Sequence, residues 1–413
     1  MKKTLFVLLG LLAAFIGWRI LSLGMASHFA VDNPELALQW RSNHPEALVQ
    51  AARRHAEAKD WDEAKVNAEN AIKARPLDGR PLAVLAQAAD AAGDKKRAAW
   101  LYQKAVRWAP RDLSTRAWLL QYALENRDAN SAVMHMDALL RMQPGLLERL
   151  QPQANVLAVT AEARPALLKT LTNAPPWRAP FLAGLARSKY PVDVIAPLFA
   201  GLKTTSETPI SELNPWLLRL RQEGRALQAY LTWVTRLPES QRQALGNVFD
   251  GGFEIPQEDQ PGMFAWQTPA IAGASAYWSA NRGTLGDNAY VVEFEGRRTP
   301  FAHLYQALAI PPGQWTLTWR AKALDLNTDR GLIWKINCEP SGAVLFESPP
   351  MRGQFEWREQ SAVFSVPSEC QGQMLRLLIP ARIPAETAIQ GTLWLDGISI
   401  TPAKSSDMPK NPL

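Results

Sequence analysis

Three prolines, Pro76, Pro110 and Pro144, stand 34 residues apart. A spacing that regular restricts the N-terminal part of the chain to stacked copies of one small unit. Ala64, Ala98 and Ala132 keep the same interval, each twelve residues ahead of its proline. Ala68, Tyr102 and Met136 hold another recurring position, and Ala71, Ala105 and Leu139 a further one. The chemistry of these positions is that of paired helices. Small residues let two antiparallel helices approach closely, and a bulkier one fills the gap to the next pair. A glycine such as Gly93 ends the first helix, and the proline stops the second.

Small, bulky, small and then proline is the order found in the tetratricopeptide repeat, which residues 45–146 resemble. The clearest copy carries Leu85, Ala86, Ala89, Gly93, Ala98, Tyr102, Ala105 and Pro110. The chain departs from that family at Arg116, where a bulky apolar residue is common. It departs again at Lys59 and Arg127, where the turn glycine would sit. Pro34 to His44 reads as a single helix capping the array, so the α-solenoid is predicted over 31–146. The resemblance implies an inner face, lined by the first helix of each pair, that holds a segment of a protein partner. By register that face presents Arg53, Arg80, Gln87, Asp90, Gln121 and Glu125; the alternative is an ordinary solvated helix surface. After Pro144 the period fades. Residues 147–245 still show leucines at helical spacing, interrupted by prolines, and are predicted to form degenerate repeats or a packing domain.

Ahead of the repeats, Lys2 and Lys3 precede an apolar run from Leu5 to Ile16, then Trp18, Arg19 and a second run from Ile20 to Ala26. About twenty apolar residues suffice to span a bilayer. The positive flank predicts a cytoplasmic N-terminus with the bulk exported to the bacterial periplasm. Residues 1–30 therefore read as a single-pass inner-membrane anchor. A signal peptide cut after Ala26 is the alternative. In an exported chain the only two cysteines, Cys338 and Cys370, are expected to form a disulfide; two buried free thiols are the alternative.

Beyond residue 246 the period falls to two. Trp315, Leu317, Trp319 and Ala321 alternate with polar residues, and Tyr290, Val292 and Phe294, and Leu332, Trp334 and Ile336, form similar runs. Short alternating segments between turn residues predict an antiparallel β-sandwich over 246–403, followed by a flexible tail, 404–413. Three stretches carry a resemblance to carbohydrate-binding modules of the jelly-roll type. Asn247 to Glu254, followed by Trp266, resembles their opening strand. Tyr305-Gln306 with Pro312, Gly313 and Trp315 resembles their central hairpin, and Gly391 to Ile398 their closing strand. The resemblance implies a structural calcium held by Glu254 and Asp396, although Gly397 stands where the family often has a second acid. It also implies aromatic platforms for sugar rings, for which Tyr277, Trp278, Tyr305 and Trp357 are the candidates. Trp315, Trp319, Trp334 and Trp394 are expected in the core.

The formal charge of +6 is spread among intermixed acids and bases without a long Lys/Arg run, which argues against a nucleic-acid partner. The five histidines are scattered, and no HExxH, GxSxG or phosphate-loop pattern occurs. Glu258 and Asp259 are adjacent, a poor arrangement for cleaving a glycosidic bond between two carboxylates. The chain is thus predicted to be a non-catalytic scaffold needing no cofactor. The two resemblances together imply a place beside extracellular polysaccharide synthesis or export. A pure protein-assembly scaffold is the alternative.

Overall fold

A computed structural model describes residues 2–205, 208–280 and 282–404. Most of the tail expected at 404–413 lies outside the described residues. The chain forms two compact units, 1–178 and 179–413.

The first unit is helical. A long apolar helix, α1 (Lys2–Phe29), leads into α2 (Pro34–Trp40). Three helix pairs follow: α3 (Pro45–Glu57) with α4 (Trp61–Ala74), α5 (Arg80–Ala91) with α6 (Lys95–Trp108), and α7 (Leu113–Glu125) with α8 (Ala129–Met142). The second helices start at 61, 95 and 129 and stop at 74, 108 and 142, two residues before each periodic proline. All nine small or bulky positions read from the period are buried, Ala64, Ala98 and Ala132 completely. The unit continues through α9 (Leu147–Val159) and α10 (Arg164–Thr172).

The turn inside each pair explains both a match and a departure. Asp60, Asp94 and Asp128 cap the second helices, each carboxylate accepting the backbone N–H three residues on. The residue before each aspartate adopts positive φ: Lys59 at 61°, Gly93 at 83° and Arg127 at 55°. Only glycine reaches that region without the Cβ clash that costs other residues about 1 kcal/mol. Lys59→Gly and Arg127→Gly are therefore each expected to stabilise the first unit by about 1 kcal/mol in urea unfolding, an unusual result for substitutions that delete exposed side chains.

The second unit begins with α11 (Arg178–Ala186), α12 (Val192–Thr205), α13 (Ile210–Gln222), α14 (Ala226–Val234) and α15 (Glu239–Arg242). Two antiparallel sheets follow. One has the order β1 (Ala274–Ala280), β2 (Asn288–Arg298), β9 (Ala388–Pro402), β4 (Gly313–Thr328) and β7 (Gly353–Val366). The other runs β3 (Leu304–Leu308), β8 (Gly372–Leu378), β5 (Ile333–Glu339) and β6 (Val344–Glu347). Their facing sides enclose one core, with Trp266, Trp319, Trp334, Tyr290 and Phe253 at 2% exposure or less.

Helix α14 packs directly on this domain. Trp233 meets Phe249 edge-to-face at 5.0 Å, and Ala226 sits so close to Gly372 that a Cβ there would lie 2.7 Å from its own. The Cys338–Cys370 disulfide is present, joining the end of β5 to the approach to β8.

Two expectations about the sandwich need correction. Residues 247–254 form a turn and not a strand. Asp250 and Phe253 have φ of 50° and 56°. The Asp250 carboxylate pulls the chain around itself by accepting from the backbone N–H of Glu254 and Ile255. The segment keeps a ladder bond to β9, from Ile398 N to Gly251 O at 2.9 Å. Nor do β3 and β4 form a hairpin. The Pro311-Pro312 step carries the chain across the core, so that β3 pairs with β8 while β4 pairs with β7 and β9.

Candidate functional site

Each unit offers an open hollow that gathers charged side chains. In the first, the six residues assigned to the inner face all lie on first helices: Arg53 on α3, Arg80, Gln87 and Asp90 on α5, Gln121 and Glu125 on α7. Arg53, Arg80 and Gln87 come together around a hollow of about 720 Å³, with Glu57, Arg111 and Ser114. Arg53 Nη2 donates to Asp112 at 3.0 Å. Arg80 bridges Glu46 and Asp78, with Nη2 at 2.8 and 2.7 Å from them. Its hydrogen bonds to Asp78 and Glu46 make that guanidinium hold its proton more tightly than usual. The same bonds keep Glu46 below the ordinary carboxylate range. For Asp78 burial pushes upward, but Arg80 outweighs it and leaves the group low. This wall is thus a fixed ionic lattice at neutral pH.

The other three candidates do not line that hollow. Asp90 is committed to Lys95, at 2.9 Å, and to the Trp118 indole N–H, also at 2.9 Å. Gln121 donates to Glu125 at 2.9 Å, one turn along α7.

In the second unit the hollow lies against the outer face of the four-stranded sheet and measures about 740 Å³. Strand register places Tyr305, Arg376, Lys335 and Glu347 in one row across β3, β8, β5 and β6. The Arg376 guanidinium lies 5.0 Å from the centre of the Tyr305 ring, a cation–π contact. Its buried Nε finds no acceptor among the described residues. Lys335 pairs with Glu347 at 2.8 Å, while Asn337 and Met374 form the next row. Helix α13 supplies the rim through Leu218, Arg221 and Gln222, and Arg221 forms an ion pair with Glu339 of β5.

Of the four aromatic candidates, Tyr305 alone lines this hollow. Trp278 packs edge-on against Phe253 and Tyr290, joining the core. Tyr277 lies on the five-stranded sheet and donates its hydroxyl to Glu293 at 2.7 Å. Trp357 is half-buried on β7 of that sheet. Trp319 and Trp334 are buried as expected, and Trp315 packs against the same core. Trp394 instead shares a row with Tyr277, Val291 and Lys322, where it is half-exposed.

Arg376 went unread in the sequence. Its only signal is the alternation of Met374, Arg376 and Leu378 with the buried Leu375 and Leu377, in a strand too short to stand out.

The pair proposed for calcium does not fit a metal. Asp396 Oδ2 accepts from Thr284 N and Oγ1 and from Leu285 N, and its Oδ1 from Gly397 N. Glu254 Oε1 accepts from the N–H groups of Asp287 and Asn288, and Oε2 from the Asn288 amide. A calcium site needs oxygen atoms converging on the ion, whereas here the two carboxylates are turned to donors of the 284–288 loop and of Gly397, four bonds on Asp396 and three on Glu254. The two acids tie down the loop around 284–288 by hydrogen bonds alone. Among the described residues no group of three or more His, Cys, Asp or Glu side chains is placed to hold a metal ion.

No protein-family model matches the chain, and no curated protein does. Solved structures give distant likenesses of its parts. The CBM22-1 xylan-binding domain of Paenibacillus barcinonensis Xyn10C is 11% identical, with 36% of this chain and 90% of that chain covered and a TM-score of 0.26. TmCBM61 in complex with β-1,4-galactotriose is 12% identical, covering 38% of this chain and 100% of the other, with a TM-score of 0.27. The tetratricopeptide-repeat protein YrrB, described as having an unusual peptide-binding site, is 10% identical, covering 49% and 90%, with a TM-score of 0.26.

Proposed function

We propose that this chain is a membrane-anchored, non-catalytic scaffold of the bacterial envelope. Its repeats hold a segment of a protein partner, and its β domain takes a glycan, in extracellular polysaccharide synthesis or export. The observation that carries the reading is the convergence of Arg53, Arg80 and Gln87, from successive first helices, on one open hollow. A surface assembled from neighbouring repeats suits an extended segment, because each repeat contributes one contact at a regular step.

The bulk is placed outside the cytoplasm, which agrees with a disulfide in a chain carrying one long apolar helix. Retention of that helix agrees with the burial of Ser22 and Ala26, since cleavage after Ala26 would remove both from the packed array. The test is a photo-crosslinking residue at Gln87 in the full chain in its native membrane, with Val66 on an exposed face of α4 as control. A discrete adduct from position 87 and none from 66 is expected; equal labelling from both would refute the groove.

A scaffold without sugar binding is the second reading, favoured by the Arg221–Glu339 pair, through which the chain's own helix covers part of the sheet face. The readings separate at Tyr305. If that face takes a glycan, Tyr305→Ala and Arg376→Ala each weaken polysaccharide binding to the full chain about tenfold, the loss of about one stacking or charged contact. If it does not, no polymer titrates the wild-type chain.

A further inference from the structure

The first unit fixes where a bilayer would meet it. Every residue of α1 from Leu8 to Leu21 is exposed, and the first buried one is Ser22. The helix from Lys2 to Leu21 is about 30 Å long at 1.5 Å per residue, the thickness of a bilayer's hydrocarbon core, and its residues from Leu8 onward project exposed from the array. They leave the array along a definite edge. Arg54, near the end of α3, donates to the carbonyls of Val31 and Asp32, so the turn after α1 lies beside the end of α3. The start of α3 lies lower on α1, where His44 meets Ser27 at 3.2 Å.

Alternation of antiparallel helices carries the start of α5 to that same edge, where Arg80 meets Glu46 of the first turn of α3. The end of α6 joins it, since a Cβ on Gly79 would fall 2.3 Å from Ala105 O. The turns 41–44, 75–79 and 109–112 thus lie on the edge from which the apolar helix emerges.

That edge has the chemistry of an interface-seeking surface. Leu77, Trp108 and Leu113 are 65%, 52% and 40% exposed there, beside Arg41, Arg75 and Arg111. The two acids of the same turns are already paired: Asp78, which is buried, with Arg80 and at longer range Arg75, and Asp112, partly buried, with Arg53. The charge left outward is positive. Trp40, at the end of α2, comes within 6.0 Å of Trp18 on the projecting helix, forming an aromatic pair at the depth where indoles favour the headgroup layer.

We propose that this edge of the repeats docks on an anionic bilayer surface, with Arg41, Arg75 and Arg111 against lipid phosphates and Leu77, Trp108 and Leu113 in the headgroup layer. The inference rests on α1 being a retained anchor. Docking would leave the array standing on its edge, with the hollow, which the 109–114 turn also lines, next to the bilayer surface.

The test uses the full chain in vesicles of phosphatidylcholine with or without phosphatidylglycerol. An environment-sensitive fluorophore is placed on Leu77→Cys or Leu113→Cys, and on Ala92→Cys or Asn126→Cys at the opposite edge. Flotation after an alkaline wash reports the anchor in the same samples. Quenching by headgroup-labelled lipid at 77 and 113 but not at 92 and 126 is the expected result. It should be stronger with phosphatidylglycerol, and Arg75→Glu and Arg111→Glu should each weaken docking about fivefold or more. Floating protein with equal quenching at both edges would overturn docking and leave the anchor standing; loss of flotation would overturn both.

Discussion

Replacing Cys338 and Cys370 together by serine lowers the stability of the 179–413 unit by about 3 to 4 kcal/mol and its melting temperature by about 10 °C. The bond closes a loop with a sequence separation of 32 residues, and the loss of chain entropy in the unfolded state grows with the logarithm of that length. The loop contains β6 and β7, so the crosslink also holds one strand of each sheet near its place. Both cysteines are buried, Cys370 completely, so two serines there also place polar hydroxyls in the core. Differential scanning calorimetry of the full chain, with and without the substitutions, measures the effect. The transition of the repeat unit should not move, because the bond lies wholly in the other unit. A melting temperature unchanged within error would mean that the bridge constrains nothing.

Acidification should act on the two units through buried groups of opposite kind. His135 on α8 is 4% exposed, and its Nδ1 accepts a hydrogen bond from the Arg116 guanidinium at 3.2 Å. Burial, reinforced by that positive neighbour, pushes the imidazole down to about 4. A histidine held neutral contributes stability that is whole above the unfolded value near 6.5 and is lost as pH falls toward the folded value. Between pH 7 and pH 5 the repeat unit should lose about 2 kcal/mol. His44, lowered chiefly by burial, acts in the same direction.

In the other unit Asp250 is 4% exposed and burial raises it to about 6, against the lowering effect of its bonds to Gln260, Glu254 and Ile255. An acid raised in this way contributes stability that is present below its unfolded value and lost as pH rises through about 6. From pH 7 to pH 5 Asp250 by itself should add about 1 kcal/mol to that unit, opposed by His303, which burial and the nearby Arg376 hold low. His135→Gln keeps an acceptor for Arg116 and should abolish most of the acid loss, and Asp250→Asn should abolish the gain. An acid response left unchanged by either substitution would contradict the assignment of that residue.

The departure at Arg116 acquires a physical meaning here. Where the repeat family commonly has a bulky apolar residue, this chain has a half-buried arginine facing a buried histidine. The same holds for Lys59 and Arg127, which the period marked as the wrong residues for a turn and which do occupy strained positions.

Helices were legible because one period specified them several times over. Proline and small and bulky residues all agreed, and agreement among independent local signals is what makes a fold readable; the capping aspartates, unread in the sequence, keep the same interval. The core tryptophans Trp319 and Trp334 were legible for the same reason, each lying within a run of alternation. The turn at 247–254 was not. Its two positive-φ residues, Asp250 and Phe253, are not glycines, and the buried carboxylate that organises it bonds to residues four and five places on.

Sheet order was equally hidden. Nothing local tells Tyr305 that its neighbour is Arg376, 71 positions away, and the row that lines the hollow exists only through that pairing. Glu254 and Asp396 stand out in the sequence as acids from opposite ends of the domain, but the backbone donors that satisfy them come from a third place, the 284–288 loop.

In the proposed function this protein works by presenting surfaces and leaves the bound polymer intact. The most direct measurement incubates the full chain with acidic and neutral bacterial polysaccharides, following tryptophan fluorescence for binding and chain length for cleavage in the same samples. A saturable fluorescence change with at least one polymer, reduced by Tyr305→Ala, and no shortening of any polymer over hours is the expected result. Oligosaccharide release that scales with protein concentration would contradict it.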